Sequence, residues 1–508
     1  MKQTQRKKSL KLNVIFNAVY QIFILLVPFI TSPYISRMLL PSGIGSYSYA
    51  LSLTTYFATF AAFGFLDYGT TQIAKKRDSK KETSEIFWEL CFCKLVFTLC
   101  ICPIYSSLIL GNGFSSAGYP LNTKAVFLAL GMNILVNGFD ATFLFQGLED
   151  FGPLCLRNFF VRLINMILIF VLINGPEDFI AYVLIMSGSN IFLGLFSFIG
   201  INKRVAKPTW KNPHLFTHIK NSFVFFIPTA SITFFPIISK SLLGFIKTDT
   251  SVSGYFEQAD KLTTLIITII NSVDAIMMSR MTYLYATNDK EQIKQKNKKA
   301  IQFYLLLSIP AFLGLIAINK YFTVGFFGND YEESVNLVYL LSPKVILMPL
   351  TCLLGAIYYV PSNKLWKRNF IYIGGIAFEI IANIIFISYL SATGAAIAST
   401  LTELLLCILF ISFSKKEVHF KESKDTAIKA FDAGIIMFII LQFTDQFLNN
   451  NLSNIAVSII AFIIGVLVYV SILLLFKEEV SSFYFQFYLE KIKTRKKDKS
   501  KGSDFSAS

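Results

Sequence analysis

Fourteen apolar runs, each about twenty residues long and separated by short polar stretches, constrain this 508-residue chain more than any other feature. They fall near 12–36, 44–67, 86–110, 124–147, 153–173, 179–201, 221–244, 259–285, 299–319, 335–360, 369–390, 392–413, 427–446 and 454–476. A helix rising 1.5 Å per residue needs about twenty such residues to cross a hydrocarbon layer of about 30 Å. Continuous apolar runs replace the alternation that a membrane barrel requires, so strands are disfavoured. The mean hydropathy of +0.57 and the 52 phenylalanines agree. The expected fold is an all-α polytopic membrane protein of about fourteen transmembrane helices.

Charge supplies the orientation. The net charge of +16 invites a nucleic-acid reading, but its distribution argues against one. With the N-terminus in the cytoplasm, alternate connections carry 37 Lys and Arg, and the intervening ones carry only Lys124, Lys247 and Lys320. That asymmetry follows the positive-inside rule and predicts two cytoplasmic termini. The basic loops then meet anionic membrane lipids. The tail from Lys477 reads as an aromatic interfacial stretch followed by a polybasic, disordered end. The first run is too long for a signal-peptide core and lacks a small-residue cleavage site, so it reads as retained.

Other chemistries find little support. The seven cysteines lie in or beside apolar runs without a C-x-x-C pair and read as buried small side chains. His214 and His218 have metal-pair spacing but no third ligand nearby in sequence. There is no phosphate-binding loop of the G-x-x-x-x-G-K-[ST] type. The connections on the outer side are all short, the longest around Asn319–Ser334. No cofactor or nucleophile constellation is visible, which favours a transporter over an enzyme.

The chain repeats itself. PYISRMLL at 33–40 returns as PIISKSLL at 236–243, aligning Pro33 with Pro236, Ser36 with Ser239 and Arg37 with Lys240. Both copies resume after a connection with Gly45…Ala50 and Gly254…Ala259. Equivalence of runs 1 and 7 implies two six-helix halves in parallel orientation, an arrangement that builds transporters with a cavity between the halves. The expected organisation is a basic tail at 1–11, a first lobe at 12–201 and a basic linker at 202–220. A second lobe at 221–413, two further helices within 414–476 and a basic tail at 477–508 follow.

Charges and polar groups inside the runs mark candidate functional positions. Ser222, Phe226, Thr229, Thr233, Pro236 and Lys240 form one stripe along run 7, which should face protein or water rather than acyl chains. Run 1 has its own stripe in Asn13, Asn17 and Gln21, which Arg37 joins only through a kink at Pro28 or Pro33. Lys94, Asp140, Arg162, Asp274, Arg280, Lys344, Glu379 and Glu403 also lie in or at the ends of runs. Each must be paired or hydrated. Pairing between helices, for instance of Lys94 or Arg162 with an acid, competes with a cavity-lining role; Lys261 and Arg280 can snorkel to the surface. Cations on a cavity suit an anionic substrate such as a diphosphate, and Asp274, Glu379 and Glu403 suit a coupling proton or sodium ion.

Several segments together resemble the Wzx-type polysaccharide flippases of the multidrug/oligosaccharidyl-lipid/polysaccharide exporter superfamily. They are TSPYISRMLLPSGIGSYSYA with FGFLDYGTTQIAK, DATFLFQGLEDF at 140–151 followed by Arg157–Asn158, GYFEQADK at 254–261, MMSRMTYLYA at 277–286 and GAAIAST at 394–400. Phe143 stands where Trp is usual, Ser239 where Asp precedes the cation, Ser279 where Pro is usual and Lys344 where the family is apolar; AIYYVP at 356–361 lacks the usual Gln. The resemblance implies two lobes of six helices plus two. It also implies flipping of undecaprenyl-diphosphate-linked oligosaccharide units across the bacterial cell membrane for capsule, exopolysaccharide or O-antigen synthesis. Antiport of a proton or sodium ion would drive it, with a glycan polymerase and other glycan-assembly proteins as possible partners. It places Asp140 and Gln146 at the cavity, and Lys344 suggests a pocket with extra positive charge. Arg37 and Lys240, with Asn17, Gln21, Thr229 and Thr233, are the expected substrate contacts in an alternating-access cycle. A multidrug exporter of the same superfamily, or a membrane-bound glycan polymerase, are the competing readings.

Overall fold

The computed structural model describes residues 2–111, 113, 123–208, 213–272, 274–415, 417–448 and 453–479; the side chains of 2–22, 25, 123, 275, 276 and 445–448 are not described. The described residues are helical and contain no strand. In chain order the helices are α1 (Lys2–Ala62), α2 (Phe65–Lys76), α3 (Lys80–Leu110), α4 (Thr123–Phe139), α5 (Thr142–Gly147), α6 (Phe151–Leu172), α7 (Phe179–Phe196) and α8 (Leu215–Ile246). Then follow α9 (Thr250–Asn271), α10 (Asp274–Ala286), α11 (Lys290–Phe327), α12 (Glu333–Leu341), α13 (Lys344–Leu354), α14 (Leu365–Ser414), α15 (Lys424–Leu448) and α16 (Asn454–Leu475). Among the described residues nine helices are long and apolar enough to cross a membrane, or ten if the bent pair Asn329–Leu341 and Lys344–Tyr359 forms one span. The chain is a multi-pass all-α membrane protein.

Two helices, α1 and α14, are each long enough for two crossings, and each is divided by a single residue. In α1 the break is Leu40, with φ 58° and ψ 172°. Leu40 precedes Pro41, and a residue before proline is disfavoured in helical geometry. In α14 the break is Ser391, at φ 57° and ψ −132°. This is the junction that the sequence marks as unusually tight. Three residues later a side chain is excluded: a Cβ on Gly394 would lie 2.1 Å from the Phe386 carbonyl oxygen.

The chain divides into two compact units. Unit 1 comprises Met1–Gln258, Phe327–Leu337 and Tyr372–Ser399; unit 2 comprises Ala259–Phe326, Val338–Ile371 and Thr400–Ser508. All of α8 therefore belongs to unit 1, and α9 changes unit after Gln258.

Unit 1 holds two apolar cores. One gathers Phe65, Phe87, Leu90, Phe143 and Phe145 from α2, α3 and α5. The other gathers Tyr49, Phe127, Leu130 and Val183 from α1, α4 and α7. In unit 2, Leu306 and Ile309 of α11 meet Ala430, Ala433 and Met437 of α15 and Ala461 and Tyr469 of α16. The Tyr469 hydroxyl donates to the Leu306 carbonyl at 3.0 Å. Lipid tails are as apolar as Leu, so close packing of small residues and interhelical hydrogen bonds carry this association.

Candidate functional site

The candidate site lies in unit 1, where the two copies of the repeated segment meet. It begins with two glycines. A Cβ on Gly45 would stand 1.8 Å from the Thr250 carbonyl oxygen, and one on Gly254 would stand 1.9 Å from that of Pro41. No other residue could replace them without parting the backbones of α1 and α9. Small residues permit this approach between helices in lipid.

One turn beyond Gly254, Glu257 and Gln258 continue the same face of α9. The Ser48 hydroxyl donates to Glu257 Oε2 at 2.5 Å. Lys240 Nζ pairs with the same oxygen at 2.9 Å, with one-fifth or less of either side chain exposed. Gln258 Nε2 donates to Ser36 Oγ at 2.9 Å, and the Tyr331 hydroxyl donates to the Ser36 carbonyl at 3.3 Å. Arg37 is exposed, its stem lying against Gly328, which holds a φ of +112°. The Tyr56 and Ser241 hydroxyls are 3.0 Å apart. Both repeated cations thus belong to unit 1, Lys240 half-buried on a carboxylate and Arg37 at the surface.

Next to Lys240, Ser239 donates to Glu379 Oε1 at 2.6 Å, and Asn383 Nδ2 donates to the same oxygen at 3.1 Å. Glu379 is almost wholly buried. The position where the resembled family has Asp therefore carries a hydroxyl donor directed at an acid from α14.

Unit 2 holds the other charged candidates. Lys344 Nζ pairs with Asp260 Oδ1 at 2.9 Å, both side chains 8% exposed. Asp274 accepts a short hydrogen bond from the Tyr304 hydroxyl. Asp274 and Glu403 both lie close enough to half-buried Cys352 to act on its thiol electrostatically. Asp274 and Glu403 thus belong to one neighbourhood, and Glu379 belongs to unit 1.

The remaining candidates have local partners. Lys94 Nζ donates to the Asp140 carbonyl, and Asp140 Oδ1 accepts the Thr142 N–H at 2.9 Å at the start of α5. Gln146 Oε1 accepts from Thr70 at 3.1 Å. Thr229 donates to Asp67 Oδ2 at 3.0 Å, and Thr233 to the Thr229 carbonyl at 2.8 Å. Asn17 and Gln21 lie outside the described side chains. Phe143, where the family has Trp, is fully buried and stacks on Phe87 at 5.5 Å with Lys94 Nζ 5.2 Å from its ring centre.

His218 is engaged at both ring nitrogens, with the Tyr68 hydroxyl at 2.9 Å and Glu89 Oε2 at 2.7 Å. Among the described residues no group of three or more His, Cys, Asp or Glu is arranged to hold a metal.

Sequence reasoning missed Glu257, Gln258 and Asp260 as site residues, although GYFEQADK was noted as a family segment. The available signal was two acids three residues apart at the head of an apolar run, where a charge needs a partner.

Comparison with known proteins places the chain. The family described as "Polysaccharide biosynthesis protein" matches residues 10–278, just over half of the sequence. A protein of Escherichia coli (strain K12) named as an O-antigen transporter is 26% identical over 412 residues, covering 80% of this chain and 97% of its own. A protein of Haloferax volcanii named as a low-salt glycan biosynthesis flippase is 22% identical over 306 residues, covering 60% of this chain and 64% of its own. Among solved structures, the lipid II flippase MurJ in an inward closed conformation superposes with a TM-score of 0.73 at 15% identity, covering 94% of this chain and all of that one. An inward-facing multidrug resistance MATE transporter gives 0.55 at 16% identity, covering 83% of this chain and 99% of that one. These last two establish the shared fold. The chain belongs to the polysaccharide biosynthesis protein family.

Proposed function

We propose that this protein is a flippase that carries lipid-linked oligosaccharide units from the cytoplasmic to the outer leaflet of a bacterial cell membrane. The cargo is an undecaprenyl-diphosphate-linked repeat unit destined for O-antigen, capsule or exopolysaccharide, and the chain crosses fourteen times with both termini in the cytoplasm. Relatives named for O-antigen transport and glycan flipping support the reading. The observation that supports it most is that both repeated cations lie in unit 1, Lys240 half-buried on Glu257 and Arg37 exposed with its stem against Gly328. In the alternating-access cycle the head group enters from the cytoplasm while the polyprenyl tail stays in lipid. Arg37 and Lys240 attract its acidic group near the outer end. Glu379, poised between Ser239 and Asn383, is the foremost candidate for the coupling proton or sodium ion, with Asp274 and Glu403 as a second locus.

The test is mass spectrometry of polyprenyl-linked lipids, sorted by leaflet, from cells with and without the protein. Build-up of a diphosphate-linked oligosaccharide on the cytoplasmic leaflet is expected. Lys240→Ala should reproduce that build-up with the protein still inserted. Intact glycan export without the protein would refute the reading and favour export of small molecules instead.

A further inference from the structure

The two copies of the repeat meet at equivalent positions. Aligning Gly45 with Gly254 also aligns Ser48 with Glu257, three residues after each glycine. The contacts are reciprocal: Gly45 faces the carbonyl four residues before Gly254, and Gly254 faces the carbonyl four residues before Gly45. Ser48 and Glu257 then touch each other. A contact in which i meets j and j meets i is the mark of a two-fold relation. The relation is broken in charge, because one member of the central pair is a serine and the other a carboxylate.

That carboxylate serves the repeated cation. Glu257 Oε2 accepts from Ser48 at 2.5 Å and from Lys240 at 2.9 Å, so a single oxygen is shared between two donors, one from each half of the repeat. Lys240 and Glu257 lie in the same half, on α8 and α9, whereas Ser48 comes from the other half, on α1. Parting the glycine crossing removes the Ser48 donor from that oxygen while Lys240, in the same half, stays beside it.

We infer that Glu257 is a built-in counter-anion that competes with the acidic group of the cargo for Lys240, more weakly while the Gly45–Gly254 crossing is closed and more strongly once it parts. This rests on the flippase reading above and adds a direction to it. A phosphate reaching Lys240 before the outer end opens meets a carboxylate already drawn on by Ser48. Once the end opens, Glu257 takes the ammonium back and the cargo is released outward. No covalent step is involved; the exchange is of hydrogen-bond and ion-pair partners.

The probe is inorganic pyrophosphate, titrated into the purified full-length protein in lipid nanodiscs. Glu257→Gln keeps the shape and removes the competing charge, and should tighten binding about tenfold or more. Lys240→Ala added to it should abolish the gain. Ser48→Ala, a mild change that preserves both charges, should weaken binding by about twofold to threefold, the size expected for losing one shared hydrogen bond. It reports on the inference even if Glu257→Gln does not fold. Unchanged or weaker binding in Glu257→Gln, or unchanged binding in Ser48→Ala, overturns the counter-anion role and leaves the flippase reading in place. Failure of the parent and all variants to bind pyrophosphate overturns diphosphate recognition, and the inference with it.

Discussion

Replacing the buried ion pair of unit 2 gives a prediction whose outcome separates structure from transport. Lys344 and Asp260 approach to 2.9 Å with 8% of each side chain exposed. At that distance and an effective dielectric near 20, their attraction is about 6 kcal/mol, offset by the cost of removing both charges from water. Lys344→Met alone strands a buried carboxylate and should destabilise the protein by about 3–5 kcal/mol, as should Asp260→Leu alone. The double variant removes both charges and leaves neither partner stranded, and should return to within about 1 kcal/mol of the parent, or exceed it. The coupling in the cycle is then about 5 kcal/mol or more. The assay is unfolding in mixed micelles with increasing dodecyl sulfate, followed by loss of helicity, with lipid-linked oligosaccharide flipping measured on the same variants. We expect the double variant to flip cargo, because the Lys344 ammonium is committed to Asp260. A harmless Lys344→Met, or a double variant as unstable as the singles, would refute the pairing argument. A stable double variant that cannot flip would return Lys344 to the cargo path.

Other perturbations test the remaining elements. Gly45→Ala places a carbon 1.8 Å from the Thr250 carbonyl and must part α1 from α9. Maleimide labelling of a Ser36→Cys reporter, buried in the parent, should rise several-fold; unchanged labelling would show that the crossing does not hold that end closed. Glu379→Gln keeps the hydrogen bonds from Ser239 and Asn383 and should abolish the dependence of transport on a proton or sodium gradient. Retained dependence removes Glu379 from the coupling path. Glu479, near the end of the described chain, is held below its ordinary value of 4.5, first by a hydrogen bond from Lys298 and then by one from Gln302. A lowered folded value means that the contribution is complete above about pH 4.5 and fades as pH falls through the lowered value. With the Glu479 side chain 63% exposed it amounts to about 0.5 kcal/mol or less. Glu479→Gln should therefore cost stability near neutral pH and nothing in strong acid; an equal loss at both would contradict the assignment.

Hydropathy and charge are additive along the chain, so the amino-acid sequence by itself determined that this is a multi-pass helical membrane protein. It also determined which stretches are apolar and which connections are basic. The gaps between runs, 37–43 and the single residue 391, fall where the structure divides α1 at Leu40 and α14 at Ser391, because hydropathy breaks act within a few residues. The repeat was legible for the same reason: PYISRMLL and PIISKSLL need only be read side by side, and family membership followed from segments of that length. Charge compensation is not local. That Lys240 meets Glu257, that Lys344 is answered by Asp260, and that Ser239 addresses Glu379 140 residues away depend on which helix faces which. The glycines behave likewise. Gly45 and Gly254 look ordinary in sequence and become indispensable only where each lies against the other's helix. Asp140 and Thr229, legible as polar positions in apolar runs, found partners in Thr142 and Asp67 that no periodicity could name. A charge inside a membrane advertises its need for a partner in the sequence, and only the tertiary structure, by fixing distances between helices, decides which partner answers.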